Sequence, residues 1–179
     1  MAESCTAFEL LLGIDQRCRL QAARLPALQS RLQGWSGIGF RLGEQWYVAP
    51  IGEVAEVLRE PRATQVPGVK PWVRGVANVR GRLLPIISLG GYFGHDPAPP
   101  GKQRRVLVVD RQELFTGLLV DEVLGLQHFA LHSHDLSPPA QVDAAVAPFI
   151  QGHFMRERPW SVFSPLALAQ APGFVDIAL

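Results

Sequence analysis

The segment from Val73 to Leu89 limits what this chain can become more than any other. It runs Val-Arg-Gly-Val-Ala-Asn-Val, then Arg80-Gly81, then Arg-Leu-Leu-Pro-Ile-Ile-Ser-Leu. Apolar runs on both sides of a short glycine-containing break read as strand, tight turn, strand. Gly81 suits a positive φ in that turn. Asn78 suits a turn residue whose amide bonds its own backbone. Gly75 leaves room for another backbone to approach closely. No catalytic apparatus accompanies these residues; the hairpin reads as a rigid surface to dock against.

Composition narrows the class. The chain has 179 residues, 47% hydrophobic and 18% charged, enough apolar material for a core. Its seventeen glycines and fifteen prolines suit short strands and frequent turns. A net charge of +1 gives no global attraction to nucleic acid or to an anionic membrane. No apolar run is long enough to span a bilayer. Cys5 and Cys18 follow no secretory signal: Glu3 is acidic, and the apolar stretch from Phe8 to Ile14 is short and broken by Glu9 and Gly13. A reduced, cytoplasmic protein with two free thiols is expected.

Residues 6–25 carry apolar side chains at three- and four-residue steps (Phe8, Leu11, Leu12, Cys18, Ala22, Leu25), which predicts an N-terminal helix. Thr6 and Glu9 fit a capping box. From Trp35 the texture changes to strands, so residues 1–34 read as a helical extension and 35–179 as the body. Ile38–Leu42 and Gln45–Ala49 flank a two-residue turn, Gly43-Glu44. Residues 50–53 read as one helical turn leading into a strand over 54–58, followed by a loop over 59–71. Gly90 and Gly91 are expected to lead into another loop. Strands are expected at Arg104–Asp110 and at Leu114–Val120, the latter continued by Asp121–Leu126 after a bend. Residues 131–147 read as a long loop. A last hairpin spans Ile150–Met155 and Pro159–Phe163, and Ser164-Pro165 caps a short helix through Ala169.

A weak internal repeat runs through these elements. Trp46 to Ile51, with Val54 and Val57, is echoed by Leu114 to Leu119, with Val123 and Leu126. Val73-x-Gly75, a hairpin and Leu89 are echoed by Ile150-x-Gly152, a hairpin and Leu166. Two similar half-barrels account for both echoes. Closing each sheet also removes exposed edges.

At Asn78-Val79-Arg80-Gly81-x-x-x-Pro85-Ile86 the sequence resembles the CheW-like family of chemotaxis coupling proteins. Val54-Ala55-Glu56-Val57, Gln65-Val66-Pro67, Val73-Arg74-Gly75-Val76 and Val120-Asp121-Glu122-Val123 resemble further landmarks of that family, in the family's order, over roughly residues 35–170. The resemblance implies a mainly β fold of two intertwined five-stranded β-barrels, here with an added N-terminal α-helix, and no catalytic activity or cofactor. It implies an adaptor between the cytoplasmic tip of a methyl-accepting chemoreceptor and the regulatory domain of a CheA-like histidine kinase. The N-terminal helix and the junction Trp35-Ser36-Gly37-Ile38-Gly39-Phe40 look closest to the branch that serves type IV pili and twitching motility. Family members often carry aspartate and arginine around the leucine that ends the hairpin; Ser88 and Gly90 stand there in this chain.

Arg80 is the foremost candidate site residue. Its guanidinium is a rigid fork of donors suited to a carboxylate or to helix-end carbonyls. Glu56 is its expected partner, at a matching point of the first half-barrel and often paired in the family. Asn78 and Val123 complete the candidate receptor contacts. Ile51, Val54 and Val57 are the candidate kinase contacts; these valines and the isoleucine alternate with polar residues, and most are expected in the core. A rival reading is a small metal-dependent hydrolase built on His128, His132 and His134, near Asp135. Structural zinc normally takes four nitrogen or sulfur ligands, and no cysteine is near. Gly37-x-Gly39 lacks the third glycine of a phosphate loop. A nucleic-acid-binding barrel would need clustered lysine and arginine, against a near-neutral balance.

Overall fold

A computed structural model describes residues 34–95, 101–111, 114–137 and 142–178. The predicted helix over 6–25, with its capping box, lies outside them. Apart from Gly34, the described residues belong to one compact unit, Trp35–Leu179.

Among the described residues eleven strands run in chain order: β1 Gly34–Leu42, β2 Gln45–Pro50, β3 Glu56–Arg59, β4 Val73–Val79, β5 Arg82–Ser88, β6 Arg105–Arg111, β7 Leu114–Val120, β8 Glu122–Ala130, β9 His134–Asp135, β10 Ile150–Met155 and β11 Pro159–Phe163. They form a sheet ordered β8-β1-β2-β11-β10-β9 and a second ordered β3-β6-β7-β5-β4. The halves of the chain exchange strands. The first half gives β1 and β2 to one sheet and β3, β4 and β5 to the other; the second half does the reverse with β6 and β7 against β8 to β11. At each crossing the pairing is parallel, β5 with β7 and β2 with β11.

The repeat thus becomes an architecture. In each sheet, chain leaving one edge strand curls round to the opposite edge. After β3, Thr64 exchanges hydrogen bonds of 2.8 and 2.9 Å with Val76 of β4. After β8, β9 pairs with β10. Both target strands carry a bulge at a glycine with nearly the same conformation, Gly75 at φ 125° and Gly152 at φ 124°. The fit around each is too tight for any side chain. A Cβ on Gly75 would lie 2.2 Å from the carbonyl oxygen of Thr64, and one on Gly152 would lie 2.4 Å from that of Asp135.

Curling gives each sheet an interior, and pressing the two together gives a third core between them. Val106 and Val108 point into one barrel with Leu84 and Ile86, while Leu107 and Val109 join Phe40, Tyr47, Leu118 and Phe163 in the large shared cluster. Val48, Phe129, Phe154, Trp160 and Val162 fill the other barrel. Strand side chains alternate in direction, so a strand buried on both faces must be apolar at successive positions. This is why Val106 to Val109 reads as an unbroken run.

Three local expectations are corrected. Gly90 and Gly91 sit within a short helix, α1 Leu89–Tyr92, because Ser88 caps it by accepting from the Gly91 N–H at 3.2 Å. The stretch after Asp121 does not continue β7: it becomes β8 in the other sheet, extending to Ala130 beside β1. The expected loop over 131–147 contains β9, whose two residues find their partners on β10. The predicted helix after Ser164 is present as α2 Pro165–Ala169, with Ser164 accepting from the Ala167 N–H.

Candidate functional site

The site is built on the β4–β5 turn. Arg80 and Gly81 both have positive φ, 52° and 81°, the signs of a type I′ turn that matches the twist of the flanking strands. Arg80 is the one non-glycine residue with positive φ among the described residues. Such a conformation costs about 1–2 kcal/mol in an L-residue. The Asn78 side chain steadies the turn by accepting from the Gly81 N–H at 2.9 Å. On the next strand Arg82 is held twice: it donates to the Asp110 carboxylate at 2.6 Å and lies 3.7 Å over the Phe115 ring.

The Arg80 side chain is held by Glu56, whose carboxylate accepts from Nη2 at 2.5 Å. The Arg80 side chain remains 77% exposed, with that of Glu56 at 29%. An exposed pair of this kind contributes only about 0–1 kcal/mol. That is no more than the backbone cost of the turn, so the arrangement adds little to stability. What it does is hold a positive charge outward on a fixed backbone.

Barrel closure brings Arg80, Glu56 and Asn78 to one end of the β3–β7 sheet. Val123 lies elsewhere. β5 and β7 run parallel from the Arg80 turn, and Val123 follows the far end of β7, where it packs half-buried against the shared core. The candidate kinase contacts also divide. Ile51, in the single helical turn Ile51–Glu53, is 53% exposed and Val57 on β3 is 37% exposed, whereas Val54 packs against the shared core. Beside Ile51, Glu53 accepts from the Ser164 hydroxyl at 2.8 Å and the Leu166 N–H at 3.1 Å, tying this turn to α2. Ser88 and Gly90 serve α1, through the cap described above.

The histidines do not converge. His128 Nδ1 lies 2.8 Å from the Ser36 hydroxyl, the His134 ring lies 4.7 Å from that of Phe154, and His132 is exposed. The Asp135 carboxyl is occupied by the Ser137 hydroxyl and N–H, which hold it below the usual carboxylate range. Among the described residues no group of three or more His, Cys, Asp or Glu side chains could hold a metal ion.

Some anchors escaped the sequence reading. Nothing local marks Asp110 and Phe115 as holders of Arg82, since they lie 28 and 33 positions away along the chain. Thr64, which meets Gly75, sits in a stretch that reads only as loop. The glycine spacing offered a signal for the contact but not for its partner.

Two exchanged, curled sheets with an inter-sheet core and an outward arginine at a fixed hairpin turn define a docking scaffold. The CheW-like domain family model matches residues 36–172, and the chain belongs to that family. It is a CheW-like scaffold and coupling protein. Over its full 179 residues it is 59% identical to Protein PilI of Pseudomonas aeruginosa, all of whose length is matched. It is 37% identical over 86 residues to a probable chemotaxis protein CheW of Rhizobium etli, covering 48% of this chain and 56% of that one. Its fold is similar to that of the scaffolding protein TtCheW from Thermoanaerobacter tengcongensis, with a TM-score of 0.66, 24% identity, and 78% of this chain and 94% of that one covered.

Proposed function

We propose that this chain is a non-catalytic cytoplasmic adaptor. It joins a chemoreceptor's cytoplasmic tip to the regulatory domain of a CheA-like histidine kinase, in the system that drives twitching by type IV pili. The body over 35–179 does the joining, and residues 1–34 form an extension to it. The observation that carries this reading is the Arg80 turn: an exposed guanidinium held by Glu56 at a barrel end, with the backbone bent to present it. Full-length similarity to Protein PilI supports the pilus assignment.

The proposed mechanism is geometric. Arg80, Glu56 and Asn78 contact the receptor's helix bundle, where carboxylates or helix-end carbonyls suit the guanidinium fork. Ile51 and Val57 present apolar surface to the kinase domain. A receptor shift then reaches the kinase because the scaffold contacts its two states unequally. Val123 and Val54 act from the core by setting these surfaces. Among the described residues no helix is long and apolar enough to cross a membrane, so attachment to receptors runs through protein contacts in this reading.

Calorimetry with a CheA-like regulatory domain and with a receptor tip fragment tests the proposal. Arg80→Asp should weaken receptor binding at least tenfold while shifting the unfolding midpoint by no more than a degree or two. Absence of binding to both partners by the unmodified protein would overturn it.

A further inference from the structure

At the opposite end of the same barrel from Arg80 lies a concentration of positive charge that the adaptor reading does not use. β3 ends at Arg59, opposite Arg105 at the start of β6. The residues that flank this pair open a cleft of about 580 Å³ lined by Arg59, Arg62, Lys102, Arg104 and Arg105, with Glu60 as the single acid among the described residues of its lining. Among the described residues five cations stand here against one carboxylate, in a chain whose net charge is only +1. Asp110, which holds Arg82 just after the Arg80 turn, lies five residues along β6 from Arg105, about 17 Å away at strand spacing. The two places are separate.

Arg104 makes this more than a solvated basic patch. Its side chain is only 8% exposed, and its Nε has no hydrogen-bond partner among the described residues. The one ion pair it makes among the described residues is loose, to Glu60 at 3.9 Å. A buried guanidinium ordinarily has its donors filled, because leaving a desolvated donor empty is costly. Half-buried Arg105 next door donates from Nη1 to the carbonyls of Lys102 and Arg104 at 2.8 and 2.7 Å. That bonding also fixes the Arg105 fork at the cleft wall.

We propose that this cleft is a second docking site, which takes an acidic segment of a partner polypeptide, with Arg104 as its buried anchor. Charge complementarity names the occupant. The lining is dominated by arginine, whose planar fork matches carboxylates in pairs. Among the described residues no aromatic side chain lines the cleft, so they offer no platform for stacking a nucleobase. The inference draws on the adaptor reading only in taking the occupant to be a protein.

Fluorescence anisotropy with a labelled octapeptide of glutamate, and with its glutamine counterpart, tests it on the full chain. The glutamate peptide should bind, the glutamine peptide should not, and affinity should fall at least tenfold between 50 and 200 mM salt. Arg104→Gln should abolish binding. Because that residue is buried, Arg59→Gln with Arg62→Gln provides a surface variant that should weaken binding at least tenfold with the fold intact by circular dichroism. Equal binding of the two peptides, or unchanged affinity in the surface variant, would overturn the site. So would displacement of the peptide by inorganic phosphate at matching concentration, since the cleft would then take free anions. Kinase-domain binding, measured in parallel, reports on the adaptor reading alone.

Discussion

Gly75→Ala tests how the barrel closes. Two separate costs apply at that position. The first is conformational: φ is 125°, a region that costs an L-residue about 1–3 kcal/mol. The second is steric. The new Cβ would stand 2.2 Å from the Thr64 carbonyl oxygen and 2.7 Å from its carbon, both backbone atoms that no rotamer change can move. Thr64 must retreat by about 1 Å to reach ordinary contact, which breaks its two hydrogen bonds with Val76, each contributing about 0.5–1.5 kcal/mol net. Together these give about 2–6 kcal/mol, against a total stability on the order of 5–15 kcal/mol for a domain. Taking about 4 kcal/mol, the midpoint of thermal unfolding should fall by roughly 8–16 °C for a chain of this size. Urea titration and calorimetry would measure both quantities. Gly81→Ala is the control: its φ is also positive, at 81°, but a Cβ there meets nothing within 4 Å. It should lose only the backbone part, about 1–2 kcal/mol. Both replacements restrict the unfolded chain equally, so that effect cancels in the comparison. Gly152→Ala should behave like Gly75→Ala, because its Cβ would meet the Asp135 carbonyl in the equivalent closure. If Gly75→Ala costs no more than Gly81→Ala, the close approach that seals the barrel is not there.

Two further outcomes follow from burial and exposure. Burial, with a smaller contribution from Asp143, pushes the Tyr47 phenol up to about 12, and its hydroxyl has no hydrogen-bond partner among the described residues. An unfolded tyrosine ionises near pH 10, so this residue's contribution is intact below about 10 and is lost as pH rises through about 12, at up to ~1.4 kcal/mol per pH unit. Tyr47→Phe should flatten that alkaline slope in denaturation curves, and removing an unpaired buried hydroxyl should leave stability at pH 7 unchanged or raised; an unaltered slope would contradict the assignment. Ile51→Asp, at a position 53% exposed, should leave the unfolding midpoint within about 2 °C and reduce affinity for a CheA-like regulatory domain at least tenfold, read by calorimetry. Retained affinity would remove Ile51 from the kinase surface.

Much of this fold was legible in the chain because its signals are local. Gly43-Glu44 and Arg80-Gly81 mark hairpins through the φ their turns demand, and both hairpins are present. Ser164-Pro165 marks a helix start through capping chemistry, and the helix begins there. The matched spacing of Gly75 and Gly152 foretold two equivalent halves. The candidate site was legible in part. Pairing of Arg80 with Glu56 was anticipated from matching positions in the half-barrel together with the family resemblance, and is present. The grouping of Val123 with them was not recoverable, because side-chain character is the same at either end of a sheet.

Sequence by itself determined which residues turn, which alternate and which must be glycine, since these follow from backbone sterics and side-chain periodicity within a few positions. Tertiary structure alone decided which edge each strand joins, that β7 and β8 part into different sheets, and that Arg104 is buried over an open basic cleft. Those outcomes depend on contacts between residues tens of positions apart. Their free energy comes from apolar surface buried jointly by both halves, and no short stretch of chain carries that information.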